Sequence, residues 1–150
     1  MAPFKKIDAL DKKIIHFLSQ NGRMSFNLIA NEIDVTEKTI RNRYNNMVDN
    51  NIISVVGVVN HMELGIRVGA IIQLKVVPQK MEQVIDNLKQ INAIRYVSST
   101  TGDYPLIVQV NVRDHDELNE TIKVVQQIPD ISSLNVMIQT EVFKNTFDII

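Results

Sequence analysis

At Ile52 the spacing of apolar residues changes from the three-to-four interval of helices to the runs and alternation of strands, and this change divides the 150-residue chain into two parts. Before it, Leu10, Ile14, Phe17 and Leu18 share one helical face. Asp8, with Asp11 three residues on, can cap that helix, which ends near Asn21-Gly22. Ser25 caps a second helix with Leu28, Ile29 and Ile33 inward and a small Ala30 that lets a neighbouring helix come close. Asp34-Val35 is a tight break, because Asp tolerates a left-handed backbone, and Thr36 caps a third helix that Asn51 ends in the same conformation. Two short helices joined by such a turn form a helix-turn-helix, with the second as the reading helix.

After the change, Ile52-Ile53-Ser54-Val55-Val56-Gly57-Val58-Val59 is β-branched and suits an extended connector or strand. Gly65 marks a turn. A strand at about 67–77 alternates Val68, Ala70, Ile72, Leu74 and Val76 with more polar neighbours until Pro78 stops it. A helix follows at 80–90 with Met81, Val84, Ile85 and Leu88 inward, then strands at about 94–101 and 105–113 joined at Thr101-Gly102-Asp103-Tyr104. Asp114 and Glu117 form a capping box for a helix at 115–127, and a last strand runs about 131–143. The order β-α-β-β-α-β predicts a ferredoxin-like antiparallel sheet with two helices on one face, so the fold class is α+β. The expected divisions are a helix-turn-helix domain at 1–51, a β-strand linker at 52–65 and a βαββαβ domain at 66–150.

A 45% hydrophobic content is enough for packed cores, and neither a long apolar run nor a secretory leader is present. The expectation is a cytoplasmic protein with no membrane partner. Zero cysteines exclude disulfides and thiol chemistry, and His16, His61 and His115 are too scattered for a metal cluster. No Ser/His/Asp arrangement or phosphate-cradling Gly-rich loop suggests catalysis, so an enzyme is not expected. The net charge of −1 hides an asymmetry: residues 1–60 hold eight Lys/Arg against six Asp/Glu, and residues 61–150 hold eight against eleven.

The basic part contains the helix from Val35 to Val48. Val35, Ile40, Tyr44, Met47 and Val48 recur at helical spacing and can be buried, leaving Lys38, Thr39, Arg41, Asn42, Asn45 and Asn46 outward. Arg and Asn are the side chains that pair bidentately with guanine and adenine edges in the major groove.

The residues Ile7-Asp8-x-Leu10-Asp11, Asn21-Gly22-Arg23-Met24-Ser25, Ile29-Ala30, Val35-Thr36-x-x-Thr39-Ile40-x-x-Arg43, Ile52-Ile53 and Gly102-Asp103-Tyr104, in this order and spacing, resemble the Lrp/AsnC family of feast/famine regulators over nearly the whole chain. The resemblance implies an N-terminal winged helix-turn-helix, a β linker and a C-terminal ferredoxin-like βαββαβ domain that senses ligands and dimerises, often assembling further to tetramers or octamers. It implies that Thr36 to Asn46 enters the major groove of double-stranded DNA. Lys38, Arg41 and Asn42 are then the base-contact candidates, joined by Glu37 and Asn45. Ser25 and Thr36, at helix N-termini, are phosphate candidates with Thr39 and Arg43. Ser25 and Thr36 acting only as caps, and Arg43 as a structural ion-pair residue, stand as alternatives.

No cofactor is implied, but an amino-acid effector is. In the family it binds at subunit contacts near a Gly-x-x-Asp loop and a Thr-rich stretch of the last strand. This chain has Pro105 where the family usually has Asp, and Leu134 and Val136 where it often has Thr. Ser99, Thr101, Gly102, Asp103, Tyr104, Leu134 and Val136 are the effector-site candidates, with Asp103 the remaining acid for an ammonium group. A plain hairpin turn is the alternative reading of the loop. For the whole protein, the alternative to a dimeric, operator-binding regulator is an oligomeric small-molecule sensor whose helical domain docks on a protein.

Overall fold

The computed structural model describes residues 7–144. The chain divides into two compact units, with the cut between Val58 and Val59.

The N-terminal unit has three helices: α1 Ala9–Gln20, α2 Phe26–Glu32 and α3 Glu37–Asp49. Each starts where a polar side chain meets free backbone N–H groups. Asp8 accepts from the N–H groups of Leu10 and Asp11, while the Asp11 carboxylate reaches back to the Asp8 N–H, closing a capping box. Ser25 accepts from Leu28 and Thr36 from Thr39, each at 3.2 Å. The stops are equally local. Asp34 (φ 54°) turns the chain after α2, and the Val35 N–H donates to the Ala30 carbonyl. Asn51 (φ 54°) does the same after α3, with the Ile52 N–H returning to Met47.

Ile14, Leu18, Ile29, Ala30, Ile40 and Met47 form the core of this unit. Two residues expected inward are not: Leu28 is 46% and Val48 39% exposed. At about 100° per residue, Leu28 points a quarter-turn or so away from Ile29, and Val48 lies well off the line joining Ile40 to Met47. Seven residues of α2 present only one narrow inward stripe. The described residues of this unit include no strand, and the stretch from Ile53 to Asn60, expected as a strand or connector, carries no ladder.

The C-terminal unit, Val59–Phe143, begins with a turn at 61–65 containing Gly65 (φ 74°). Its elements are β1 Val68–Val76, a 3-10 turn Pro78–Lys80, α4 Met81–Lys89, β2 Ile94–Ser99, β3 Leu106–Val112, α5 His115–Gln126 and β4 Ile131–Gln139. This is the expected βαββαβ order. The strands lie antiparallel in the sequence β2-β3-β1-β4. One face carries Ala70, Ile72, Leu74 and Val76 of β1 and Leu106, Val108, Val110 and Val112 of β3, all buried with Val84 and Leu88 of α4 and Leu118 and Val125 of α5. Full burial of each such aliphatic side chain contributes about 1.5–3 kcal/mol. The last strand is shorter than expected because Gln139 pairs with Gly69, near the beginning of β1, leaving no partner beyond. The helix α5 is capped by Asp114, which accepts from the Glu117 N–H at 2.8 Å. The expected box is displaced by one residue: the Glu117 carboxylate takes the N–H of Arg113, not that of Asp114, because Arg113 adds its guanidinium to the same oxygen. Among the described residues no helix is long and apolar enough to cross a membrane.

Candidate nucleic-acid interface

Burial of Ile40 and Met47 turns the opposite side of α3 outward, and Glu37, Lys38, Arg41, Asn42 and Asn45 are all exposed there. Glu37, Arg41 and Asn45 sit one turn apart in succession, with Lys38 and Asn42 beside them, a strip of helix that matches the depth of a major groove. Lys38, Asn42 and Asn45 have no hydrogen bond or ion pair with another described residue, so their polar groups are open to a ligand.

Arg41 is different. Its Nη2 donates to Glu37 Oε1 at 2.5 Å, one turn back on the same helix, and its guanidinium carbon lies 5.3 Å from the centroid of the Phe26 ring. Phe26, the first residue of α2, in turn packs on Tyr44 with ring centroids 5.0 Å apart. Phe26 was missing from the residues singled out in the sequence; an aromatic directly after a Ser cap is the only local sign of it.

Arg43, a phosphate candidate with a structural ion pair as its alternative reading, is paired within the protein. Its Nη1 donates to Asp8 Oδ2 at 2.6 Å and lies 3.4 Å from Asp11 Oδ1, so both acids at the start of α1 hold it. The charge is compensated within the protein, and Arg43, two residues or about 200° on from Arg41, faces away from it. The hydrogen bond from the Asp11 N–H, foremost, holds the Asp8 carboxyl below its ordinary value; burial opposes it, and the Arg43 guanidinium adds to the lowering. The same pair raises Arg43 above its usual value, chiefly through the hydrogen bond to Asp8. A lowered folded-state carboxylate adds stability above the unfolded value and loses it as pH falls through the lower folded value. Asp8→Asn keeps a good helix cap and removes the ion pair. Its melting temperature should fall below that of the wild type at pH 7, and the gap should close in melts run below the ordinary Asp value of 3.8.

The phosphate candidates at helix starts are occupied locally. Ser25 caps α2; Thr36 caps α3 and its hydroxyl is 2.9 Å from that of Thr39, which is half-buried, not outward as expected. Their capping roles are established by this geometry.

The effector candidates fall into two groups. Ser99 ends β2, and Thr101, Gly102 (φ 103°) and Asp103 form an exposed turn closed by Thr100 Oγ1 donating to the Tyr104 carbonyl at 2.6 Å and the Thr100 N–H to Pro105. Tyr104 is half-buried, with Lys75 Nζ 5.7 Å from its ring centroid. Leu134 and Val136 lie on β4 opposite Leu74 and Ile72, packed against the hydrophobic core. Ser99, Leu106, Leu74 and Leu134 form one row across the four strands. Three strand spacings of about 4.8 Å separate its ends, so one chain does not bring the two groups together. No cluster of three or more His, Asp or Glu side chains placed to hold a metal occurs among the described residues.

Comparison with known proteins matches both units. The AsnC-type helix-turn-helix domain profile covers residues 7–48, and that of the Lrp/AsnC ligand binding domain covers residues 69–149. An uncharacterised HTH-type transcriptional regulator of Pyrococcus furiosus is 33% identical over 140 residues, covering 92% of this chain and 95% of that protein. The solved structure of Escherichia coli AsnC has a TM-score of 0.88 at 26% identity, over 94% of this chain and 97% of its own. A Neisseria meningitidis transcriptional regulator solved as its L-Met complex has the same fold, with a TM-score of 0.88 at 14% identity over 95% of each chain. The two profiles meet the two structural units in order: the chain belongs to the Lrp/AsnC family, whose members are DNA-binding transcriptional regulators and not enzymes.

Proposed function

We propose that this regulator binds palindromic operators as a two-fold dimer, placing α3 of each copy in successive major grooves, under the control of a small effector. The observation that carries this reading is the outward strip of α3, where exposed Lys38, Arg41, Asn42 and Asn45 stand above buried Ile40 and Met47. One such helix spans few base pairs, and the N-terminal part holds little excess positive charge for phosphate attraction. Two helices related by a two-fold axis, with half-sites about 34 Å apart, double the contacts and require a palindrome. The sheet face away from α4 and α5 suits self-association: Ile71, Ile107 and Met137 are set among Gln73, Gln109 and Asn135. Ser25, Thr36, Thr39 and Arg43 are the proposed sequence-independent phosphate contacts. A fluorescence anisotropy titration on the promoter DNA of its own gene tests the reading. With about six phosphate contacts per dimer, affinity should fall roughly a thousandfold between about 50 and 200 mM salt. Binding without steep salt dependence, or no binding at the lower salt, would favour a protein-docking role for the helical unit.

Effector control rests on the turn at 100–105 and on β4. The Neisseria regulator binds L-Met. Here an ammonium group has Asp103 for its acid, with Ser99 and Thr101 hydroxyls for a carboxylate, and a second copy is needed to bring β4 residues to the turn. A thermal-shift screen of the amino acids is expected to reveal one that stabilises by about 2.7 kcal/mol at a hundredfold excess over its Kd. No shift with any amino acid would remove this class of effector.

A further inference from the structure

The guanidinium of Arg41 is held from two directions by residues that need not touch DNA. Glu37 grips Nη2 from one turn earlier on α3, and the guanidinium carbon lies over the Phe26 ring of α2, 5.3 Å from its centroid. Tyr44 backs the Phe26 ring at 5.0 Å, so the support extends through the helix-turn-helix and not merely along one helix. Arg has five N–H donors in a rigid fork, and with one Nη2 donor taken by Glu37 most of the fork still points away. Side chains of Arg are 56% and of Glu 45% exposed, so the pair adds little stability; its consequence is orientation.

We propose that Glu37 and Phe26 are positioning residues that pre-orient Arg41 for the paired acceptors of a guanine edge, so that preference at one base pair depends on a carboxylate that contacts no base. This inference rests on the DNA-reading role of α3. An unheld Arg loses rotamer freedom on binding a base and can equally well reach a phosphate; a held one has that freedom removed in advance and keeps its geometry. Neutralising the charge while keeping the fork also suppresses attraction to phosphate, which is the same for every sequence. Glu37 therefore sharpens selectivity from both sides: it favours the guanine contact and weakens binding to everything else.

The test is a selection of binding sites by the full-length protein from a random duplex pool, followed by affinities for the selected duplex and each single-base-pair variant. The proteins are wild type, Arg41→Ala, Glu37→Ala, Glu37→Gln, Phe26→Leu and the Arg41→Ala/Glu37→Ala double variant, each checked by thermal melting. Arg41→Ala identifies the guanine position. Glu37→Ala is expected to lower preference at that same position by about three- to tenfold while raising affinity for unrelated DNA. Glu37→Gln, which retains an acceptor oxygen, should restore part of the preference, and Phe26→Leu should lower it. The double variant should be no less selective than Arg41→Ala alone, because Glu37 acts through Arg41. Loss at a different base pair, additive losses in the double variant, or an unchanged guanine preference in Glu37→Ala would overturn the proposal while leaving DNA reading intact. A wild-type protein that selects no sequence at all would overturn both. Glu37 is exposed, so its variants remain informative even where Phe26→Leu disturbs packing.

Discussion

Arg41→Ala is expected to lower affinity for the preferred operator by about 1–3 kcal/mol per half-site, and roughly twice that for a dimer engaging both, and to lower affinity for unrelated duplex DNA by distinctly less. The asymmetry follows from the state of the side chain in the free protein. Its charge is matched by Glu37, so its removal leaves that carboxylate unpaired and costs every duplex a similar, solvent-screened amount of attraction. Its remaining donors are the ones that distinguish a guanine edge from the other three base-pair faces. Thr36→Ala supplies the contrast. It removes the hydroxyl that accepts the Thr39 N–H at 3.2 Å, which should cost about 0.5–2 kcal/mol of stability and weaken all sequences alike. Affinities for an operator and a scrambled duplex, measured side by side for both variants, separate the roles; equal losses on both duplexes for Arg41→Ala would remove it from the base readers.

The second large effect concerns the scaffold. Ile40 is fully buried between the outward strip of α3 and the core made by Ile14, Ile29 and Met47. Ile40→Ala deletes methyl and methylene groups from a small core that has few neighbours to collapse into the space, and about 2–5 kcal/mol should be lost from the N-terminal unit. Among the described residues this unit buries six in its core cluster where the C-terminal unit buries twelve, so the loss falls on the smaller cluster. Chemical denaturation followed by circular dichroism should show an early loss of helix that the wild type lacks, with the β signal of the sheet retained to higher denaturant. DNA binding should disappear together with that helix signal. A single coincident transition, displaced as a whole, would show that the two units unfold together.

Much of this was legible locally. Asp8 with Asp11, Ser25, Thr36, Asp34 and Asn51 each act within three or four residues of themselves, and the helix boundaries they imply are those observed. The same is true of the alternation that buries Ala70, Ile72, Leu74 and Val76 on one side of β1. What was not legible depends on residues far apart in the chain. Arg43 meets Asp8 and Asp11 across more than thirty residues, a pairing that no spacing rule reveals. Phe26 beneath Arg41 depends on how α2 crosses α3. The separation of Ser99 from Leu134 depends on strand order: β1 and β3 stand between their strands, and sequence proximity says nothing of that.

The central claim is that Arg41 reads a guanine from the major groove. Replacing that guanine in the selected operator by 7-deazaguanine keeps Watson–Crick pairing and removes only the N7 acceptor. Wild-type affinity should then fall about tenfold, whereas Arg41→Ala should bind the modified and unmodified duplexes equally. Unchanged wild-type affinity, or the same loss in both proteins, would contradict the account.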